Sequence, residues 1–156
     1  MKRSGRAPQS ASVLSVAKGC VFCAVVAGAE HYAVYRDEKV VAFLDHAPVI
    51  PGHTLVVPTT HYDSLDDLPD EVLAPLFKVV RRVSIAQQKA LGAEGSLTLS
   101  NTKISQSVPH VHVHVVPRRK GDSLFSPGRP LWMRKRYSEG EAEGIAEKLR
   151  NELARG

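Results

Sequence analysis

Apolar and polar positions along the chain mark out its elements. Residues 109–118 read Pro-His-Val-His-Val-His-Val-Val-Pro-Arg, with His110, His112 and His114 at alternate positions and Val111, Val113 and Val115 between them. A period of two predicts a β-strand with the imidazoles on one face and the valines on the other. β-Branched valine favours extended backbone, and Pro117 is placed to close the strand because it has no N–H to donate. A one-residue slip would carry histidine into the core, so the valines also set the register. Shorter runs predict strands over residues 34–36, 39–45, 53–58 and 95–101, with Asp37 and Glu38 turning between the first two. Val72, Leu73, Leu76, Val79, Val80 and Val83 recur at helical spacing. Pro69 suits the first position of that helix, Pro75 should bend or delay it, and Gly92 should stop it. Val21, Phe22, Val25 and Val26 fit one side of a short helix ended by Gly28. Ser138 and Glu141 have capping-box spacing ahead of Ala142, Ile145, Ala146, Leu149 and Leu153, the stripe of a C-terminal helix.

Most predicted connections are short, and only residues 69–92 are long enough to cross over, which makes antiparallel pairing the expectation. The fold class is therefore α+β. Its length of 156 residues suits one core. One domain is expected over residues 18–156, with residues 123–156 as a C-terminal extension. Residues 1–17, carrying Lys2, Arg3 and Arg6, read as a disordered basic arm. A hydrophobic fraction of 43% and a charged fraction of 24% are those of a globular protein. No apolar run reaches membrane-span length, and a cytoplasmic location is the default. The net charge of +5 suits an anionic ligand. Aromatic residues are 6% of the chain and do not alternate with basic ones, so a small phosphorylated ligand is favoured over specific nucleic acid.

Three imidazoles on a stiff strand can supply a nucleophile and a proton donor for phosphoryl chemistry. His110-Val-His112-Val-His114-Val115-Val116 resembles the signature of the histidine-triad (HIT) family of nucleotide hydrolases and transferases. The continuation Pro117-Arg118-Arg119-Lys120-Gly121-Asp122 is similar to the branch that cleaves dinucleoside polyphosphates. This resemblance begins at Cys20 and weakens after Asp122. It implies a five-stranded antiparallel sheet with one long helix, a short N-terminal helix and a C-terminal helix, in a homodimer.

By the same resemblance, His112 is the nucleophile that forms a nucleotidyl-histidine intermediate. His114 contacts the α-phosphate and assists the leaving group, and His53 supports the nucleophile. Gln106 and Ser107 match the loop that holds phosphate and leaving-group oxygens, and Asn101 matches an amide position beside it. Asp45 matches the carboxylate that accepts from the ribose hydroxyls. Val21, Phe22, Val25 and Leu44 match the slot for the base. Each has a plainer reading as well: His53 as a buried structural histidine, Asp45 as a turn residue, the apolar residues as core. One departure stands out, because Ser105 replaces a glycine that would let backbone N–H groups approach phosphate.

Cys20 and Cys23 form a Cys-x-x-Cys pair, which in a cytosolic chain reads as a metal or redox site before a structural disulfide. A redox pair expects a βαβ setting that this region lacks. Some bacterial family members carry zinc on such a pair, a histidine at the end of the third strand and the first triad histidine. Here those positions are Cys20, Cys23, His61 and His110, which implies one structural zinc per chain. A catalytic zinc on all three triad histidines would leave no imidazole to attack.

The resemblance thus implies a hydrolase acting at the α-phosphate of a purine dinucleoside polyphosphate or nucleoside phosphoramidate. A transferase or phosphorylase sharing the intermediate is an alternative, as is a nucleotide-binding module without turnover. Arg118, Arg119, Lys120, Arg129, Arg134, Lys135 and Arg136 either reach the distal part of a long substrate or form a solvated surface. Trp132 either packs at a dimer contact or stacks on a base. His31 and His46 match no motif and are read as surface or loop residues.

Overall fold

A computed structural model describes residues 16–29, 32–130 and 132–156. His31 and residues 1–15 of the basic arm lie outside them. Helix α1 (Val21–Val26) precedes strands β1 (Ala33–Arg36), β2 (Val40–Leu44) and β3 (Thr54–Pro58). Helix α2 (Asp70–Leu91) then leads to β4 (Gly95–Leu99) and β5 (Val113–Arg118), and α3 (Glu141–Leu153) follows. The strands form one sheet in the order β1-β2-β3-β5-β4, and every neighbouring pair is antiparallel. This is the α+β fold expected from the pattern.

Alternation divides the core between the two faces of the sheet. Val40, Ala42, Leu44, Val56, Val111, Val113 and Val115 pack with Leu76, Val79, Val80 and Val83 of α2 and Ala146 and Leu149 of α3. Val41, Phe43, Leu55 and Val57 point the other way and pack with Phe22 and Val25 of α1. Each fully buried valine contributes about 1.5–3 kcal/mol of transfer free energy. Burying Val111, Val113 and Val115 under the helices leaves the intervening histidines on the α1 side.

Several expectations change in detail. Strand β5 starts only at Val113, so His110 and His112 stand ahead of it. There the backbone bonds to loops instead of a ladder: Val111 N donates to Tyr62 O at 2.8 Å, and Ser100 Oγ donates to His112 O at 2.8 Å. The side-chain alternation survives without the ladder. Pro117 does not close the strand, which runs on to Arg118. Its nitrogen faces the side where pairing with β3 has already ended, at Thr54 opposite Val115, so the missing donor interrupts nothing.

Pro69 is the N-cap of α2, one position earlier than expected, and Pro75 sits inside the helix without delaying its start. The carbonyl deprived by Pro75 belongs to exposed Glu71, where water can serve it. Leu73 is off the buried stripe, 37% exposed. Buried Gln87 instead continues the inner face, and its Nε2 donates to Gly52 O at 3.1 Å and Val115 O at 2.9 Å. The N-cap of α3 is Gly140. Ser138 nevertheless donates to the Glu141 carboxylate from its backbone N, at 2.8 Å, and from Oγ, at 2.9 Å.

Gly52 turns the chain into β3 with φ +95°, and a Cβ there would stand 2.7 Å from Leu91 Cδ1 and 3.3 Å from Pro117 Cγ. Gly52→Ala is expected to lower unfolding free energy by about 1–3 kcal/mol, measured by denaturant titration. An unchanged midpoint would contradict this reading of the turn.

Candidate active site and metal centre

The three triad histidines are buried: His110 is 0%, His112 2% and His114 5% exposed. Phe22 of α1 packs edge-on against the rings of His110, at 6.0 Å, and His112, at 5.0 Å. Neighbouring acceptors fix how the protons lie. His110 O accepts only, so the 2.8 Å contact from His112 Nδ1 requires the proton on Nδ1. Nε2 of His112 is left with its lone pair. Val49 N donates to His53 Nδ1 at 3.4 Å, so the proton of His53 is on Nε2. That Nε2–H donates to His114 Nδ1 at 2.9 Å, which leaves the proton of His114 on its own Nε2. These contacts leave His112 with an accepting Nε2 and its neighbour His114 with a donating one, an arrangement that can supply a nucleophile and a hydrogen-bond donor.

Burial also keeps the rings neutral. It pushes His53 down to about 3, aided by the charges of His114 and Arg134, and His114 down to about 4, aided by His112 and Arg134. Burial lowers His112 as well, against the pull of the His110 carbonyl and Asp45.

Two cavities of about 390 Å³ each meet at His114. The first is lined by Val21, Phe22, Val25, Phe43, Leu44, Asp45, Leu55, Val108 and His112, a largely apolar slot with one carboxylate. The second is lined by Leu99, Asn101, Ser105 and Trp132. Ser107, His114 and Arg134 line both. A larger cavity of about 710 Å³, beside Tyr32 and Tyr137, contains none of the triad histidines.

The structure therefore gathers most residues singled out in the sequence. Leu44 reaches the slot but packs chiefly toward the helices, while Phe43 faces α1. Gln106 does not line either cavity. Its Oε1 accepts from Lys103 N at 2.8 Å, and its Nε2 donates to the Asp63 and Val108 carbonyls, so it braces the loop. Ser105 takes φ 60°, in the left-handed region that favours glycine. Arg118 does not reach the site, because it makes a two-point ion pair with Asp122 at 2.6 and 2.8 Å. His46 is a surface loop residue at the mouth of the first cavity. Sequence reasoning left Trp132 and Arg134 without an assignment. Trp132 packs edge-on against His114 at 5.0 Å and His53 at 5.5 Å. Its being the sole tryptophan was the available signal.

Cys20, Cys23, His61 and His110 form a second cluster, with donor atoms within 4.8 Å of one another. Cys20 caps α1, and the helix brings Cys23 to the same side. His110 Nε2 donates to Pro58 O at 3.0 Å and His61 Nε2 to Asp63 Oδ1 at 2.8 Å. Each ring thus turns an Nδ1 lone pair inward, only 3.2 Å apart. The sulfur-to-nitrogen separations are 3.3–3.6 Å. A tetrahedral zinc with ordinary bond lengths spaces such donors by about 3.3–3.6 Å. The donor set and its outer hydrogen bonds fit zinc.

The HIT domain family profile matches residues 27–121. The chain belongs to the HIT domain family. An uncharacterised HIT-like protein, SSO2163 of Saccharolobus solfataricus, is 42% identical over 139 residues, 85% of this chain and 99% of that protein. The asymmetrical bis(5'-nucleosyl)-tetraphosphatase of Schizosaccharomyces pombe is 36% identical over 113 residues, 71% of this chain and 61% of that enzyme. A solved Zn-bound histidine triad family protein from Mycobacterium smegmatis superposes with TM-score 0.74 at 38% identity, covering 88% of this chain and 94% of that one. A hypothetical histidine triad nucleotide-binding protein, ST2152 of Sulfolobus tokodaii, superposes with TM-score 0.76 at 34% identity, covering 87% of this chain and 93% of that one. Among the described residues, no helix of this HIT protein is long and apolar enough to cross a membrane.

Unfolded histidine titrates near 6.5, while folded His53 titrates at about 3. Between those values the unfolded chain takes up a proton that the fold refuses. This cost is absent above about 6.5 and grows on acidification. Within that window, wild type is expected to lose ~1.4 kcal/mol more per pH unit than His53→Gln, from denaturation curves at stepped pH. Equal slopes would contradict a buried neutral His53.

Proposed function

We propose that this HIT protein is a nucleotide hydrolase that cleaves at the α-phosphate through a nucleotidyl-histidine intermediate. One observation carries the reading: the His112 Nδ1–H bond to the His110 carbonyl, which leaves a neutral Nε2 lone pair on a ring that lines the cavity. The base would occupy the slot of Val21, Phe22, Val25, Phe43 and Leu44, with Asp45 accepting from the ribose hydroxyls. His112 Nε2 attacks phosphorus, and the bond to the leaving group breaks as His114 Nε2–H donates to the departing atom. His53 holds His114 in the donor tautomer. Ser107, which lines both cavities, would donate to a phosphate oxygen, and Asn101, which lines the second, would meet the leaving group. Water then attacks the phosphorus and returns a proton to His114 Nε2 as the P–N bond breaks, which restores both His112 and His114. A dinucleoside polyphosphate or nucleoside phosphoramidate supplies the required bond, and a purine is our preferred base. The tetraphosphatase relative supports hydrolysis over simple binding.

Cys20, Cys23, His61 and His110 would hold one structural zinc, whose contribution is to tie α1 to the triad segment. Paired thiols kept as metal ligands suit a reducing compartment, and we place the protein in the cytoplasm. Strand β4 lies at the sheet edge, and a second copy there would extend the sheet into a homodimer.

His112→Ala is expected to lower turnover ~10³-fold or more while mononucleotide affinity stays within about an order of magnitude. Turnover near wild type would contradict the assignment. Metal analysis of purified protein should find close to one zinc per chain, lost in Cys20→Ala. A metal-free wild-type protein with intact fold would contradict the zinc site.

A further inference from the structure

The cavity walls hold little charge for a site that meets phosphate. His53, His112 and His114 are kept neutral by burial, as described above. Among the residues lining the two cavities, Asp45 is the acid and Arg134 the one permanent cation. Arg134 lies beyond the matched family domain, which ends at residue 121. Among the described residues it makes no hydrogen bond or ion pair, so its guanidinium is uncommitted.

The segment around Arg134 is fastened on both sides. Trp132 packs with Val49, Val116 and Leu124. Lys135 N donates to Pro48 O at 2.7 Å, and Gly52 N donates to Tyr137 Oη at 3.4 Å. These ties hold the chain against the β2–β3 loop, with Arg134 between them. The charge therefore stands where the two cavities meet, in the lining that Arg134 shares with Ser107 and His114.

We propose that Arg134 is the specificity-determining residue for an anionic leaving group, recognising the phosphate next to the α-phosphate from the second cavity. A guanidinium pairs with phosphate through two parallel N–H···O bonds. Its placement selects phosphoanhydrides, whose leaving group is itself a phosphate, over amides, whose leaving group is an amine. Trp132 forms an apolar aromatic wall on the same side. This inference rests on the nucleotide reading of the first cavity and names the substrate class that the second would take.

Binding to His112→Ala protein tests it without turnover. The probes are AMP and GMP and their symmetric dinucleoside tetraphosphates, titrated calorimetrically, with the better-bound base retained. The tetraphosphate is expected to bind ~10-fold or more tightly than its mononucleotide. Adding Arg134→Gln should remove that margin, costing the tetraphosphate at least ~10-fold more than the mononucleotide. Arg134→Lys should restore part of the margin, which a purely structural role would not do. A margin that survives Arg134→Gln overturns the proposal, as does an equal loss for both probes, which would place Arg134 on the α-phosphate. If neither mononucleotide binds, the nucleotide reading fails and this inference with it. If mononucleotide binds but the parent shows no margin, only the Arg134 assignment fails.

Discussion

Burial of Val111, Val113 and Val115 beneath α2 and α3 is the constraint on which the site depends. Those side chains cannot turn outward without emptying the helix-facing core. With the valines fixed, His110, His112 and His114 have only the α1 side to occupy, whether or not their backbone belongs to a ladder. The segment then serves two centres. His110 turns its Nδ1 toward Cys20, Cys23 and His61, while His112 and His114 meet the cavities. Phe22 packs edge-on against both His110 and His112, so α1 bears on the Cys/His cluster and on the cavity histidines together.

The chemistry follows from where backbone donors and acceptors lie. Three contacts, from His112 Nδ1 to His110 O, from Val49 N to His53 Nδ1 and from His53 Nε2 to His114 Nδ1, decide the tautomers of three rings. Burial keeps those rings uncharged near neutral pH, which in the proposed reaction suits attack on phosphorus but leaves phosphate charge to be met by something else. Arg134 provides the permanent cation at that point. The same neutrality is expected to make the fold sensitive to acid, so the proposed reactivity and stability draw on one property.

Much of the fold was legible because its signals are periodic. Alternation at residues 110–115 and the helical stripe of Leu76, Val79, Val80 and Val83 on α2 each report a buried face directly. Where tertiary contacts override local pattern, the reading shifted. Pro117 could continue β5 because its neighbour strand had ended, and Leu73 fell off the stripe while Gln87 joined it. In the site, the triad and the cysteine pair were readable from motif spacing, while Asp45 was reached only through the family resemblance. Gln106 stands apart from the cavities because its amide is consumed by carbonyls of Asp63 and Val108, contacts that spacing does not encode. Arg134 resembled its basic neighbours in the chain. Only the packing of Trp132 and the tether at Lys135 distinguish it.

The proposed reaction turns on a covalent bond between His112 Nε2 and the α-phosphorus. The direct measurement is mass spectrometry of protein quenched at alkaline pH during turnover, with peptide mapping of any adduct. A nucleoside monophosphate increment on the peptide containing His112, absent in His112→Ala, is the expected result. Continuing cleavage with no nucleotide on that ring, under conditions that preserve a phosphoramidate standard, would contradict it.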